Sequence, residues 1–489
     1  MSLIKIIFIN ILISFSKCDK LIFVATHFRH GARAPMNVDS EYKDHVKEKW
    51  LNPGELTGVG QRMHYLLGLR NRIRYITGNY TFLSKNFDSH EILIYSTPFN
   101  RSILSAYAQM QGLYPEIEKL GETLTEQQEK NAIPASNYNY KTIEDEIKRI
   151  KGYAMPNLMT LIPVRMINNN ERKITLYDID ECEVKRDEIK EKNRKSIPIL
   201  IQMENYFNEK YGKKLNEFYG KTETYDYLFM NRFCDAVVSS ITDGRNLTEF
   251  KKLNFDLNET KYYCFDVQKN NYLYHILGDE EHILAPLESS KMIREIIHYM
   301  KKRIEADINQ VKIEEDYLDY SRPKMLMISG HDSTISCNEV FIINSLGLEV
   351  DKYFRSAHYA SQLALEVTRR DATEDEVKKM TFSDYNVNYY FNDELVFSIS
   401  AEEFIKNIEP KLWTDEQIDT FCGFKTKEKE NNEKELNNTQ IMILIILITL
   451  VIIFLTSTII LSIKLKNLNS KSKENATSIS LVGKKSVNE

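Results

Sequence analysis

Two short segments of the chain concentrate groups able to act on a charged ligand. Arg29-His30-Gly31-Ala32-Arg33-Ala34-Pro35 and Gly330-His331-Asp332-Ser333-Thr334 each set a histidine beside a charged side chain, directly after an apolar run. A third run, Glu91-Ile92-Leu93-Ile94-Tyr95, leads through Ser96-Thr97-Pro98-Phe99-Asn100 to Arg101. The guanidiniums of Arg29, Arg33 and Arg101 offer forked donors to a tetrahedral dianion, a task for which arginine suits better than lysine. They would also stabilise charge on the equatorial oxygens as a phosphoryl group transfers. A neutral imidazole can attack phosphorus, and a neighbouring carboxylic acid can hand its proton to a departing alkoxide. Arg29, Arg33, Arg101, His30, His331 and Asp332 are therefore sufficient for cleaving a phosphomonoester with no metal or cofactor. Each piece alone has a plainer reading: Arg-His-Gly is short enough to arise by chance, and Asp332 or Ser333 could simply cap a helix. Recurrence after buried strands, in this order, is harder to assign to packing. His27, His45, His64 and His90 lack such context and read as structural, although His27 is close enough to line the site.

The elements around these residues explain how they could meet. Lys20 to His27, Glu91 to Tyr95 and Pro323 to Gly330 are short and apolar, as buried strands are. Leu56 to Tyr75 repeats its apolar residues mostly at three and four, and Arg101 to Leu113 reads as a second helix. Strand, helix, strand, helix predicts an α/β fold with a mainly parallel sheet flanked by helices. Ligands bind such sheets beyond the carboxyl ends of the strands, where all three exit loops would lie. Residues of about 116–284 turn dense in Lys, Glu, Tyr and Asn, with helical stretches at Ile189 to Tyr211 and Tyr225 to Ser240. They read as a smaller inserted helical domain within an α/β core of 19–115 and 285–422. Ser289 to Ile308 is a long amphipathic helix, and Leu363 to Thr368 and Asn388 to Ser398 read as closing strands.

The two ends point outside the cytosol. Lys5, the apolar run Ile6 to Phe15, and the small residues Ser16 and Cys18 form a signal peptide over 1–18. Ile441 to Ile463 contains no charge and, at about 1.5 Å per residue, is long enough for the roughly 30 Å hydrocarbon core. Lys464, Lys466, Lys471 and Lys473 follow it, so residues 464–489 would be a cytoplasmic tail of a single-pass type I membrane protein. Residues 425–440 read as a stalk rich in Lys, Glu and Asn. The catalytic part would be lumenal, as in a lysosome-like organelle, or extracellular. Sequons at Asn79, Asn246, Asn258 and Asn437 would then be glycan acceptors, while Asn100 and Asn475 would be bare. A net charge of −5 over 489 residues implies no large basic surface and excludes nucleic acid as the expected partner.

The segments RHGARAP, GELTGVGQRMHYLLGLRNRIRY, YSTPFNRSILSAYAQMQGLYP and GHDST together resemble the histidine acid phosphatases, branch 2 of the histidine phosphatase superfamily. The likeness spans most of 20–115 and 285–422. It implies a phosphoglycerate-mutase-like fold, with His30 the nucleophile that becomes phosphohistidine and Asp332 the general acid. Arg29, Arg33, Arg101 and His331 would hold the phosphate. A signal and one C-terminal span match the lysosomal and membrane-bound prostatic-type layout. The resemblance also implies disulfides Cys182 with Cys422 and Cys234 with Cys264, leaving Cys337 free, and a possible homodimer. Two departures stand out: Pro98 replaces an aspartate that many members carry, and Gln362 stands where some carry cysteine. The roles imply an acidic, bell-shaped pH optimum, because Asp332 must be protonated while His30 is neutral. On this scaffold the expected substrate is a phosphate monoester, the alternatives being a phytase-like inositol polyphosphate substrate or a lysophospholipid phosphate. A non-catalytic ectodomain would be expected only if part of the machinery were missing, and none of it is.

Overall fold

The computed structural model describes residues 19–36, 52–78, 80–118, 121–133, 143–150, 152–156, 159–167, 180–245, 253–278, 284–310, 323–423, 441–442, 444–467 and 469. The chain divides into two units, Met1–Ile418 and Asp419–Glu489.

The first unit is organised on a seven-stranded sheet. Its strands are β1 (Lys20–Arg29), β2 (Ile92–Ser96), β3 (Arg165–Met166), β4 (Met325–Gly330), β5 (Gln362–Arg369), β6 (Tyr385–Phe391) and β7 (Glu394–Ser400), in the order β3-β2-β4-β1-β5-β6-β7. Nine of ten β1 residues and every residue of β4 and β5 are buried, as expected of strands covered on both faces. β6 alternates buried with less buried positions and β7 is largely open, which suits the edge of the sheet.

The expectation of a mainly parallel sheet needs correction. β3, β2, β4 and β1 are mutually parallel, but β1–β5, β5–β6 and β6–β7 are antiparallel, so the sheet is evenly mixed. The stretch 388–398 is likewise two strands, not one. Asn392, at φ +53°, opens a tight reversal between β6 and β7 that the alternating pattern runs straight through.

Helices α1 (Gly58–Arg72) and α2 (Asn100–Leu113) cover one face. There Ala106, Met110 and Leu113 pack on Val24, Phe28, Ile92, Ile94, Met325 and Met327. α1 starts at Thr57, whose side chain accepts from Gly60 N, and the two helices touch through glycine. A methyl group on Gly68 would stand 2.0 Å from the Gln109 carbonyl oxygen, and one on Gly112 would stand 2.0 Å from that of Tyr65.

Between β3 and β4 come α3 (Asp180–Ser196), α4 (Pro198–Phe207), α5 (Tyr227–Thr242) and α6 (Leu257–Asn270). The single helix expected over 189–211 is broken because Pro198 takes the first position of α4, where its missing N–H costs nothing. α6, which the sequence pattern did not single out, is capped by Asp256 accepting from Asn258 N and Glu259 N. α4 to α6 share an apolar cluster around Phe207, Tyr211, Phe233 and Val267. The disulfide Cys234–Cys264 joins α5 to α6, as the family likeness implied. Cys182 and Cys422 are each disulfide-bonded, and Cys337 is free and buried. Gln362, also buried, accepts from Asn71 Nδ2 at 3.0 Å. The long helix α7 (Leu284–Ile308) and α8 (Asp332–Ser345) complete the core.

Asn258 is exposed in the first turn of α6, and Asn100 begins α2 with its amide on Glu55. Asn79, Asn246, Asn437 and Asn475 lie outside the described residues, as do His45, residues 1–18 and the 425–440 stalk. In the second unit, Leu444–Asn467 is one apolar helix of 24 residues, long enough to cross a membrane.

The α1–α2 contact makes a direct test. Gly68→Ala should lower unfolding free energy by about 1–3 kcal/mol, the usual range for overpacking. Gly58→Ala, at a position with nothing within 4 Å of the added carbon, should be near neutral. Equal denaturation midpoints for the two variants would contradict the close crossing.

Candidate active site

The site is assembled by strand register. β1 and β4 run parallel with Arg29 opposite Gly330, and His30 N donates to the Gly330 carbonyl at 3.0 Å. β2 lies on the other side of β4, and Thr97 N donates to the Ser329 carbonyl at 3.1 Å. The three exit loops therefore leave the sheet side by side. Arg29, His30, Arg33, Arg101, His331 and Asp332, drawn from three separate segments of the chain, come together there.

His30 is held by its own loop. Its Nδ1 lies 2.9 Å from the Gly31 carbonyl oxygen, which can only accept, so Nδ1 carries the hydrogen. Burial first, then the charges of Arg29, His331, Arg33 and Arg101, keep the His30 pKa well below its usual value. The ring is thus neutral, with the lone pair on Nε2. Gly31 N donates to Ser105 Oγ at 3.0 Å, and a methyl group on Gly31 would stand 2.3 Å from the Gly60 carbonyl oxygen. That close approach requires glycine. His64 closes the loop from behind, its Nε2 donating to the Arg29 carbonyl at 3.0 Å.

The arginines differ in their partners. Arg29 Nη2 is 2.6 Å from Asp332 Oδ2, and Nη1 donates to the Ala357 carbonyl at 2.8 Å. Its guanidinium lies over the Tyr359 ring at 4.2 Å, a contact worth about 0.5–2 kcal/mol. Arg33 forms a two-pronged pair with Asp235 of α5, Nη2 to Oδ1 at 3.0 Å and Nη1 to Oδ2 at 3.2 Å. Burial works against the Arg33 charge, but Asp235 more than offsets it and the pKa is raised. Arg101 has no carboxylate partner among the described residues; it stacks on Phe99 at 4.5 Å. Burial, then repulsion from Arg33, lowers its pKa to about 10.

His331 Nε2 is 3.1 Å from Thr97 Oγ1, and burial followed by the charge of Arg101 lowers its pKa to about 3. Asp332 begins α8, so it sits where the helix dipole favours negative charge. Burial pushes the Asp332 pKa up, but Arg29, the Tyr272 hydroxyl and Arg33 outweigh it, and the carboxyl is held below its usual value. His27, read from sequence as structural though close enough to line the site, has the structural role and packs behind it. Asn338 Nδ2 donates to its Nδ1 at 3.0 Å, so Nε2–H donates to Thr334 Oγ1 at 3.2 Å. The Thr334 hydroxyl in turn bonds the His331 carbonyl at 2.9 Å. Asp235, Tyr272 and Tyr359 were not legible as site residues. They come from helices and a loop with no motif of their own, and only tertiary packing brings them to the strand ends.

This site sits in a chain whose relatives can be named. The chain belongs to the histidine phosphatase superfamily (branch 2), whose family model matches residues 20–391. It is similar to the lysosomal acid phosphatase of Xenopus laevis, 37% identical over 99 residues, 20% of this chain and 21% of that one. With the prostatic acid phosphatase of Bos taurus it shares 23% identity over 325 residues, 65% of this chain and 68% of that one. The match to the lysosomal relatives therefore spans about a fifth of their length. Among solved structures, the phytase of Citrobacter braakii aligns with a TM-score of 0.46 at 11% identity, covering 82% of this chain and 99% of that one.

The buried imidazoles make stability depend on pH. The pKa values of His27 and His331 fall to about 3 and that of His64 to about 4, in each case chiefly through burial. All three lie below the unfolded value near 6.5, so the unfolded chain binds more protons between these limits. Their contribution is fully present above about pH 6.5 and is lost as pH falls through 4 to 3. Denaturant midpoints measured from pH 7 to 4 should decline steadily. A midpoint that stays flat or rises would contradict the neutral, buried state of these rings.

Proposed function

We propose that the protein is an acid phosphatase that hydrolyses phosphate monoesters through a phosphohistidine on His30. The observation that carries this reading is the Nδ1–H of His30 spent on the Gly31 carbonyl, which leaves a neutral ring with its lone pair on Nε2 inside a cluster of three arginines. In the first step the His30 Nε2 lone pair forms a bond to phosphorus while the ester P–O bond breaks. The Asp332 carboxyl proton passes to the departing alkoxide. In the second step water attacks phosphorus, Asp332 takes a proton from that water, and the N–P bond breaks to release phosphate and neutral His30. Arg29, Arg33, Arg101 and His331 hold the phosphoryl oxygens and offset the charge that spreads over them. None of these steps calls on a metal.

Arg29, the Tyr272 hydroxyl and Arg33 hold the Asp332 carboxyl below its usual value. A bound phosphate occupies those guanidiniums and relieves that pull, so Asp332 takes up its proton as substrate binds. His30, with its lowered pKa, is already neutral in acid. Activity should therefore be greatest in acid and fall as Asp332 loses its proton on going to neutral pH. The apolar helix Leu444–Asn467, with lysines at and beyond its C-terminal end, supports a type I anchor with the catalytic unit on the lumenal or outer side of the membrane. A cleaved signal over residues 1–18 belongs to the same reading.

The decisive comparison uses two leaving groups. Asp332→Asn should lower kcat/KM, which reports only the steps up to departure of the alcohol, by about 100-fold to 10,000-fold on an alkyl phosphate, the range for a lost general acid. On 4-nitrophenyl phosphate, whose leaving group needs little protonation, the loss should be far smaller. His30→Ala should abolish both activities, and a chelator should leave wild type unchanged. Equal losses on the two esters, an alkaline optimum, or inactivation by chelator would overturn this mechanism.

A further inference from the structure

The charges around His30 are nearly balanced before any substrate arrives. Arg29 is engaged by Asp332 and Arg33 by Asp235, so three guanidiniums face two carboxylates. The rings of His30 and His331 add no charge, both being held neutral. Once Asp332 carries the proton its proposed role requires, one carboxylate remains against three cations. The site then offers two net positive charges, enough for one phosphoryl group.

Asp235 is built in, not incidental. It reaches across 202 positions of sequence from α5, and both of its oxygens are used. Oδ2 also accepts from Met36 N at 2.8 Å, just beyond the Arg-His-Gly-Ala-Arg segment. Its neighbour Cys234 is tied by disulfide to α6 and Tyr359 is tied to Ser239 of the same helix at 2.9 Å, so α5 cannot easily withdraw. Glu55 acts on Arg101 and holds Asn100 beside it.

We infer that Asp235 is a specificity-determining residue, which by holding Arg33 restricts the site to esters with a single phosphate and rejects polyphosphorylated ones. This rests on the monoester phosphatase reading above. A second phosphate on the same molecule would meet the carboxylates of Asp235 and Glu55. Asp235 acts through Arg33 and is not itself a catalytic residue.

The test compares 4-nitrophenyl phosphate with myo-inositol hexakisphosphate on wild type, Asp235→Asn and Asp235→Glu. Wild type should strongly favour the first ester. Asp235→Asn should shift the ratio of kcat/KM toward the hexakisphosphate by about tenfold or more, mainly through KM, and the shift should shrink at high salt. Asp235→Glu, which keeps the charge, should restore the wild-type ratio even if overall rates fall. An unchanged ratio in Asp235→Asn, or an equal shift in Asp235→Glu, would overturn the inference. Should Asp235→Asn fail to fold, competition on wild type decides: hexakisphosphate binding much more tightly than inorganic phosphate would overturn it, and comparable or weaker binding would support it. A wild type inactive on 4-nitrophenyl phosphate would instead sink the underlying phosphatase reading.

Discussion

Everything at this site depends on two strands that are neighbours in space and some 300 residues apart in sequence. Because β1 and β4 pair in parallel with Arg29 opposite Gly330, two histidine loops leave the sheet at one height. The Arg29–Asp332 pair at 2.6 Å then locks them together. A buried ion pair is costly to desolvate and gains little net stability, but removing one partner costs about 3–5 kcal/mol because the other charge is stranded. Arg29 also holds the Ala357 carbonyl and rests on Tyr359, so a third segment is tied to the same side chain.

A cluster of arginines has a second consequence. Burial first, and then these charges, make protonated imidazole unfavourable nearby, which keeps His30 and His331 neutral and, on the proposed chemistry, ready at acid pH. The same burial makes the fold less stable as pH falls, since His27, His64 and His331 resist protonation. The Cys234–Cys264 disulfide, which closes a 30-residue separation, limits the unfolded chain and works in the opposite direction.

Much of this was legible from residues alone. The strands leading to Arg29, Arg101 and Asp332 are apolar runs bounded by glycine, proline or polar residues, and their carboxyl ends are where α/β sheets bind ligands. What sequence could not carry is long-range pairing. β5 runs antiparallel to β1, and β6 and β7 continue that alternation, a pairing that composition does not encode. Asn392-Asp393 is a turn inside an alternating pattern that reads equally well as one strand. Asp235 and Tyr359 have no motif; their place at the site exists only once α5 docks on the loop after β1. His27 shows the reverse case, a residue near the motif in sequence but behind the site in space, bonded to Asn338.

The central claim is a covalent bond from phosphorus to His30 Nε2. It is tested most directly by mixing the full-length protein with radiolabelled 4-nitrophenyl phosphate and quenching in alkali within the first turnover. Phosphohistidine survives alkali, whereas acyl phosphates do not, so peptide mapping can place the label. The account predicts label on the peptide containing His30 in wild type, enriched in Asp332→Asn, and absent from His30→Ala. Turnover with no trapped label, or label that persists in His30→Ala, would contradict it.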